Sequence, residues 1–206
     1  MTRIAVVARW CAILLLALWP AAGARAQAPT LETMLADRVI GKPDAPLTII
    51  EYASLTCGHC ASFHKDTLPK LKTEWLDTGK AKLVFRDFPL DGVALRAAMA
   101  ARCMPEERYF PVLDVLFKNQ DNWARARDPI AALGGIARLS GLSQEAFDAC
   151  LKNEPLQKGI LAKAFEGQQQ HKVESTPTFI VGNEAIRGAV PWEEFERVLK
   201  KAAGGG

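Results

Sequence analysis

The sequence predicts an α/β fold into which an all-helical block is inserted. Two strand-like runs, 47–54 and 81–88, flank a segment of helical periodicity and form a strand–helix–strand unit. Two short strands and a helix are predicted again near the C-terminus. Between these parts, from about 91 to 172, the apolar residues follow helical spacing, punctuated by Gly, Pro and Asn. The predicted order is therefore strand–helix–strand, helical block, hairpin and helix.

The strand–helix–strand unit is predicted from its apolar patterns. Residues 47–54 (LTIIEYAS) are rich in β-branched and apolar side chains, which indicates a buried strand. Helical spacing then runs from Cys57 to Leu76, and Pro69 inside it predicts a kink because the pattern continues beyond it. Residues 81–88 (AKLVFRDF) read as the second strand. Such a connection favours parallel pairing with a right-handed crossover.

The later elements are predicted from turn and cap residues. Ser143, three residues before Ala146, predicts the N-cap of one helix in the block. The runs TFIVG and EAIRG flank Asn183 and predict a short hairpin. Residues 191–202 open with proline and keep one apolar stripe, which predicts a C-terminal helix.

The N-terminus has the pattern of a secretory signal peptide. Arg3 and Arg9 precede an apolar run at 10–19, and an A-x-A cleavage site ends at Ala26. The run is short for a membrane-spanning helix, although an uncleaved anchor is the alternative. Cleavage leaves a single domain, 27–206, and removes three arginines, so the formal net charge of +3 falls to zero. No basic excess then favours nucleic acid or anionic lipid as a partner.

Four cysteines remain after cleavage, since Cys11 lies in the signal peptide, and an even number in an exported chain indicates disulfide chemistry. Cys57 and Cys60 form a C-x-x-C pair, which can bind zinc, close a structural disulfide or exchange electrons. Zinc needs four ligands, and here His64 is a lone candidate partner. A 57–60 disulfide would constrain the unfolded chain little because its loop is so short. We therefore favour the redox interpretation.

The redox interpretation has a physical basis in the position of Cys57. This residue follows a strand and opens a helix, where unpaired N–H groups and the helix dipole stabilise a thiolate. His59 would add to this effect if it were protonated or donated a hydrogen bond. Cys57 would be the exposed nucleophile and Cys60, one turn deeper, the resolving thiol. We expect the pKa of Cys57 at roughly 4 to 5.5.

Two more features suit such a site. Glu51 is an acid inside an apolar strand, and if buried near Cys60 it could relay the proton of the resolving thiol. The alternative is a glutamate at a sheet edge that points into solvent. Thr176–Pro177 places a proline just before a predicted strand, where a cis bond is possible, since cis X–Pro costs under about 1 kcal/mol and other cis bonds about 2.5–4. An ordinary trans turn is the alternative there.

The other two cysteines, Cys103 and Cys150, lie towards the ends of predicted helices. We expect them to form a structural disulfide, worth roughly 4 kcal/mol in the chain-entropy model. The alternative is two buried thiols that act as small apolar side chains.

Taken together, these motifs resemble the DsbA family of thiol:disulfide oxidoreductases. The resemblance spans about 47–199 and rests on EYASLTCGHCASFHKDTLPKL, KLVFRDFPL, the helical block and STPTFIVGNEAIRGAVPWEEFERVL. It implies a thioredoxin-like fold with a helical insertion. It also implies that Cys57 is the nucleophile, Cys60 the resolving thiol and Glu51 the buried acid. Pro177 would be a cis proline, with Thr176 meeting the substrate backbone.

The family resemblance further implies a periplasmic monomer that introduces disulfide bonds into reduced or unfolded exported proteins. It implies no cofactor besides the redox-active Cys57–Cys60 disulfide, and reoxidation by a DsbB-type membrane oxidase linked to quinone. Gly58 departs from the best-known members, which have proline there, and the Gly-His pair resembles protein disulfide isomerase. An isomerase or reductase on the same fold therefore stays open, as does a non-catalytic holdase chaperone, which would not need Cys57.

Overall fold

The computed structural model describes residues 29–204, so the predicted signal peptide and Cys11 lie outside the described residues. A five-stranded mixed sheet forms the centre of the fold. Its spatial order is β1-β3-β2-β4-β5. Only the β2–β3 pair is parallel among these neighbours, and the other pairs are antiparallel. The strands are β1 (Arg38–Gly41), β2 (Leu47–Ala53), β3 (Ala81–Asp87), β4 (Thr178–Val181) and β5 (Glu184–Arg187).

Strand β2 is the central strand, hydrogen-bonded to β3 on one side and β4 on the other. This position explains why its side chains are buried on both faces, as the nearly continuous apolar run predicted. The hairpin of β4 and β5 has the predicted short turn, in which Gly182 has a φ of +58°. Strand β1 was not predicted. It pairs at the sheet edge, next to β3, and its four residues include an arginine and a glycine.

The helix after β2 runs through four consecutive segments and contains two wide turns. It consists of α2 (Gly58–Ser62), a π-helical turn (Phe63–Thr67), α3 (Leu68–Leu71) and a second π-helical turn (Lys72–Leu76). Pro69 lies in the first turn of α3, directly after the first wide turn. A proline ring collides with the carbonyl four residues earlier in a regular α-helix, and a wider turn relieves that collision. The helix thus continues beyond Pro69, as predicted, with a local widening just before it.

Six helices make up the inserted block, and among the described residues from 92 to 171 none forms a strand. Side chains of Asp91, Asp128, Ser143 and Asn153 accept hydrogen bonds from first-turn N–H groups, which fixes four helix starts, Ser143 among them as predicted. Within 29–204 no helix combines the length and apolarity needed to cross a bilayer. The block comprises α4 (Gly92–Arg102), α5 (Glu106–Lys118), α6 (Gln120–Ala124), α7 (Pro129–Leu139), α8 (Gln144–Leu151) and α9 (Glu154–His171).

The start of α2 lies where two hydrophobic cores meet. One core fills the helical block and includes Cys60. The other lies against the sheet and includes Phe63, together with Phe195 of α10 (Trp192–Ala202). A short α1 (Leu31–Leu35) packs its Met34 into the first core. The active-site helix is therefore held from both sides, which fixes the position of its first turn.

The predicted disulfide between Cys103 and Cys150 is present. It joins the C-terminal end of α4 to α8, with a Cα–Cα distance of 6.2 Å. Both residues belong to the core of the helical block. The alternative of two separate buried thiols is wrong.

Candidate active site

Cys57 is the N-cap residue of α2, at the end of the loop that follows β2. Its main-chain N–H donates to the Ser54 carbonyl at 3.1 Å, which closes the turn between strand and helix. Its Sγ accepts a hydrogen bond from the N–H of Cys60 at 3.4 Å. As a thiol, Sγ also donates to the carbonyl oxygen of Thr176 at 3.2 Å. The half-buried sulfur thus lies between the helix start and the loop before β4.

This environment lowers the pKa of Cys57 from an ordinary 9.0 to about 5. The largest cause is a hydrogen bond from the Cys60 thiol, and partial burial opposes it. The N–H groups of Cys60 and His59 lower the pKa further, and so does Thr176. The Thr176 hydroxyl is buried and has no hydrogen-bond partner among the described residues. The value agrees with the range that the sequence predicted.

Cys60 lies in the opposite environment. Its side chain is fully buried. Burial raises the pKa of its thiol far above the ordinary range, and the nearby Cys57 and Glu51 raise it further. At neutral pH the pair therefore consists of an accessible thiolate and a buried thiol. That is the division of roles expected of an attacking and a resolving cysteine.

Glu51 lies in the middle of β2 with none of its surface exposed. Its Oε1 is 2.9 Å from Nε2 of His64, whereas Oε2 has no hydrogen-bond partner among the described residues. The alternative of an exposed glutamate at a sheet edge is wrong, because β2 is paired on both sides. The expected burial near Cys60 is confirmed, and the proton-relay role stays a prediction.

The Thr176–Pro177 peptide bond is cis, as predicted. The Pro177 carbonyl accepts from the N–H of Gly188 at 2.8 Å, and the Thr178 hydroxyl donates to the Ser175 carbonyl at 2.7 Å. These contacts anchor the loop to the hairpin. The Thr176 main chain is thereby held against Cys57.

Comparison with known proteins agrees with this geometry. A family model described as thioredoxin matches residues 33–201. The crystal structure of α-DsbA1 from Wolbachia pipientis is 34% identical with a TM-score of 0.74, covering 82% of this chain and 91% of that one. The chain belongs to the DsbA-type thioredoxin family. Its fold, predicted as thioredoxin-like with a helical insertion, is that of this family.

Two curated relatives of this DsbA-type chain carry functional names. A Rickettsia bellii protein, proposed in its name to be a protein-disulfide oxidoreductase, is 32% identical over 146 residues, which are 70% of this chain and 56% of that protein. Disulfide bond formation protein D of Bacillus subtilis is 25% identical over 175 residues, 79% of this chain and 75% of that protein. This chain thus spans little more than half the length of the rickettsial relative.

Two residues at the site of this DsbA-type protein were not predicted to act there. From the sequence, His64 was considered only as a possible zinc ligand, but the structure pairs it with Glu51. Within 29–204, no group of three or more potential metal ligands surrounds it. Gln120, from the helical block, donates to the carbonyls of Leu55 at 2.8 Å and Cys57 at 3.0 Å. The spacing of His64 four residues after Cys60 was a usable signal, whereas nothing in the sequence links Gln120 to the loop.

The structure differs in part from what the sequence predicted for His59. Its side chain is exposed, and it lowers the pKa of Cys57 through its main-chain N–H. Any histidine or other non-proline residue supplies that N–H. The role predicted for the imidazole itself stays a prediction.

Proposed function

We propose that this chain is a protein thiol:disulfide oxidoreductase that acts chiefly as a dithiol oxidase at Cys57-Gly58-His59-Cys60. The observation that carries the proposal is the contrast within the pair, a Cys57 pKa of about 5 beside a buried Cys60 thiol of raised pKa. The names of the rickettsial and Bacillus relatives support the same class of reaction.

The reaction consists of two exchanges that move two electrons from substrate to enzyme. A substrate thiolate attacks Sγ of Cys57 in the oxidised pair, the Cys57–Cys60 bond breaks, and its electron pair stays on Cys60, which takes up a proton. A second substrate thiolate then attacks the substrate sulfur of the mixed disulfide. Cys57 leaves as a thiolate, which its low pKa favours. The substrate gains a disulfide and the enzyme is left reduced.

Stabilisation of the Cys57 thiolate sets the direction. Only the reduced enzyme contains this thiolate, so the stabilisation favours reduction of the enzyme and oxidation of the substrate. At pH 7 the thiolate is stabilised only in proportion to the two pH units by which the pH exceeds its pKa of about 5. That difference is worth about 2.7 kcal/mol, and solvent screening of the half-buried group leaves about 2 kcal/mol. For a two-electron couple this raises the reduction potential by about 40 mV.

Substrate binding is assigned to the loop before β4. An extended substrate segment would pair with the Thr176 main chain in the manner of an added strand. On the other side of the active-site loop, an open groove of about 590 Å³ lies between Thr56 and the helical block. Its wall carries charges of both signs, from Asp91, Arg96 and Arg125. A groove of this kind suits varied unfolded polypeptides rather than one sequence.

The setting of the reaction is part of the proposal. The predicted signal peptide supports export to the periplasm, where reduced exported proteins would be substrates for a monomeric enzyme. A DsbB-type membrane oxidase would reoxidise the Cys57–Cys60 pair. A second candidate function, disulfide isomerase or reductase, is favoured by Gly58, which stands where the best-known DsbA members have proline.

Equilibration of the purified protein with glutathione buffers distinguishes an oxidase from a reductase. We expect a reduction potential between about −100 and −180 mV, in the range of strong oxidants and of protein disulfide isomerase. Oxidation of a reduced test protein with two cysteines should then proceed without added oxidant, one disulfide for each oxidised enzyme. A potential near that of thioredoxin, about −270 mV, would replace the oxidase by a reductase.

A further inference from the structure

A buried acid–base pair lies beside the resolving thiol. Nε2 of His64 is 2.9 Å from Oε1 of Glu51, and their side chains are 4% and 0% exposed. Glu51 is close enough to Cys60 to raise the pKa of that thiol. Its second oxygen, Oε2, is buried without a hydrogen-bond partner among the described residues. One carboxylate oxygen is thus held by the imidazole and the other is free to exchange a proton.

The His64 ring is fixed by aromatic side chains from three elements. It stacks on Phe117 of α5 with ring centroids 4.0 Å apart and an interplanar angle of 26°. It also meets the edges of Phe63, in its own helix, and Phe85 of β3. The ring belongs to the π-helical turn Phe63–Thr67, and such turns are frequent at functional sites. Its orientation towards Glu51 is therefore set by packing.

The pair of Glu51 and His64 is the main acid–base group in the part of the core beside Cys60. Two titratable groups near the pair are Cys60 on α2 and Tyr109 on α5, and Glu51 contributes to the raised pKa of both. On the flanking strands, Glu51 lies opposite Phe85 of β3 and Phe179 of β4. Within 29–204, His64 is the one basic residue whose side chain lies within ion-pair distance of Glu51.

We propose that His64 is a positioning residue, which shares a proton with Glu51 so that the pair supplies and accepts the proton of Cys60. The inference rests on the proposed exchange reaction. When the substrate thiolate bonds to Cys57, the Cys57–Cys60 bond breaks and its electron pair stays on Cys60. One proton passes from the pair to Cys60, either directly from Glu51 or through one water. The pair is left as a carboxylate that accepts a hydrogen bond from Nε2–H of a neutral imidazole.

Histidine suits this task better than a lone acid or a fixed cation. A buried carboxylate without a partner is costly, so Glu51 alone would resist giving up its proton. A permanently charged arginine would hold Glu51 ionised and leave no proton to donate. Histidine takes or gives one proton in the physiological pH range, so it stabilises the carboxylate and still allows reprotonation. In the reverse reaction the same pair removes the proton of Cys60.

The experiment follows this reverse step alone. Wild type, His64→Gln, His64→Phe, Glu51→Gln and the double variant Glu51→Gln/His64→Gln are prepared as mixed disulfides of Cys57 with glutathione. Release of glutathione by Cys60 is then measured from pH 5 to 9 by rapid mixing. We expect His64→Phe and Glu51→Gln to slow release about a hundredfold, the lower end of the range for loss of general acid–base catalysis. His64→Gln, which keeps an N–H donor without titrating, should give a smaller loss and an altered pH profile.

Two further results distinguish positioning from packing. If the residues act as one unit, the double variant should be no slower than Glu51→Gln alone. Asp87→Asn is the matched control, because it removes another buried charge, one that is paired with Arg102 and not with Glu51 or His64. This control should lower the melting temperature and leave the pH profile unchanged. The Cys57 pKa, measured by alkylation, should be unchanged in His64→Gln.

The inference is overturned if His64→Gln reproduces the wild-type rate and pH profile, or if the effects of His64 and Glu51 multiply independently. His64→Gln decides the question even if His64→Phe does not fold. Failure of the proposed function would look different, because wild-type protein would then fail to oxidise a reduced substrate at any pH.

Discussion

The two cysteine pairs of this chain have the same sulfur chemistry, but they lie in environments that give it different reactivity. Cys57 is the N-cap of a helix, receives N–H groups and is half-exposed, so its thiolate is stabilised. Cys103 and Cys150 join two helices inside an apolar core, across 47 positions of sequence. We therefore expect a Cys57–Cys60 disulfide to be easily reduced, and we expect the Cys103–Cys150 disulfide, which closes a long loop in a core, to stabilise the fold.

Replacing the cysteines of one pair at a time tests this difference most directly. Cys57→Ser should abolish oxidation of a reduced test protein, because the Cys57–Cys60 disulfide that accepts the substrate thiolate in the proposed reaction can no longer form. Cys60→Ala should still form mixed disulfides but fail to resolve them, so covalent complexes should accumulate on non-reducing gels. Cys103→Ala/Cys150→Ala should retain the wild-type rate. Comparable loss of activity in the last variant would contradict the separation of roles.

The second expected effect is on the stability of the helical block. Cys103→Ala/Cys150→Ala should lower the free energy of unfolding by about 2–4 kcal/mol, because the unfolded chain regains the freedom that the bridge removes. Denaturant titration of the oxidised proteins measures this difference. Cys57→Ala/Cys60→Ala is the matched control, and it should not destabilise the protein in this way. An unchanged unfolding midpoint in the first variant would show that the bridge contributes little.

A third prediction uses the sign of the Cys57 pKa shift. The pKa is lowered to about 5 on folding, so the reduced native state gains stability at higher pH and loses it as the pH falls through about 5. At pH 7 the reduced protein should be more stable than the oxidised one by about 2 kcal/mol. Melting curves of both forms at pH 7 and pH 4 test this. The difference should shrink at pH 4, and a more stable oxidised form at pH 7 would contradict the oxidase proposal.

The sequence predicted those features that depend on local pattern. The strand before Cys57, the helix after it and the hairpin have periods and turn residues that are visible over ten residues. Strand β1 was missed because it is short and includes Arg38 and Gly41, so its pairing with β3 comes from the sheet and not from its own propensity. A strand of four residues is rarely long enough to show a clear alternation of apolar and polar side chains.

Within the candidate site, too, some residues are predicted by local motifs and others are not. Cys57, Cys60 and Pro177 are identified by motif and by the element that each begins or precedes. The contact of Glu51 with His64 requires that β2 and the first wide turn of the helix face each other, which neither segment specifies alone. The contact of Gln120 with the carbonyl of Cys57 spans 63 positions and depends on how the helical block packs on the loop. Such contacts follow from tertiary packing, which apolar periodicity does not encode.

The smallest expected effect belongs to His59 and shows which part of the residue acts on Cys57. The sequence suggested that the imidazole stabilises the thiolate, and the structure places that ring in solvent while the main-chain N–H contributes. His59→Ala keeps the N–H, so the pKa of Cys57 should rise only by a few tenths of a unit, as expected for a solvent-screened side chain. The reduction potential should become more negative by a few millivolts only. Alkylation rates against pH, at low and at 0.5 M salt, measure the change. A rise of a full unit at low salt that disappears at high salt would show that the imidazole acts as a charge, and the resting structure would then understate the role of this side chain.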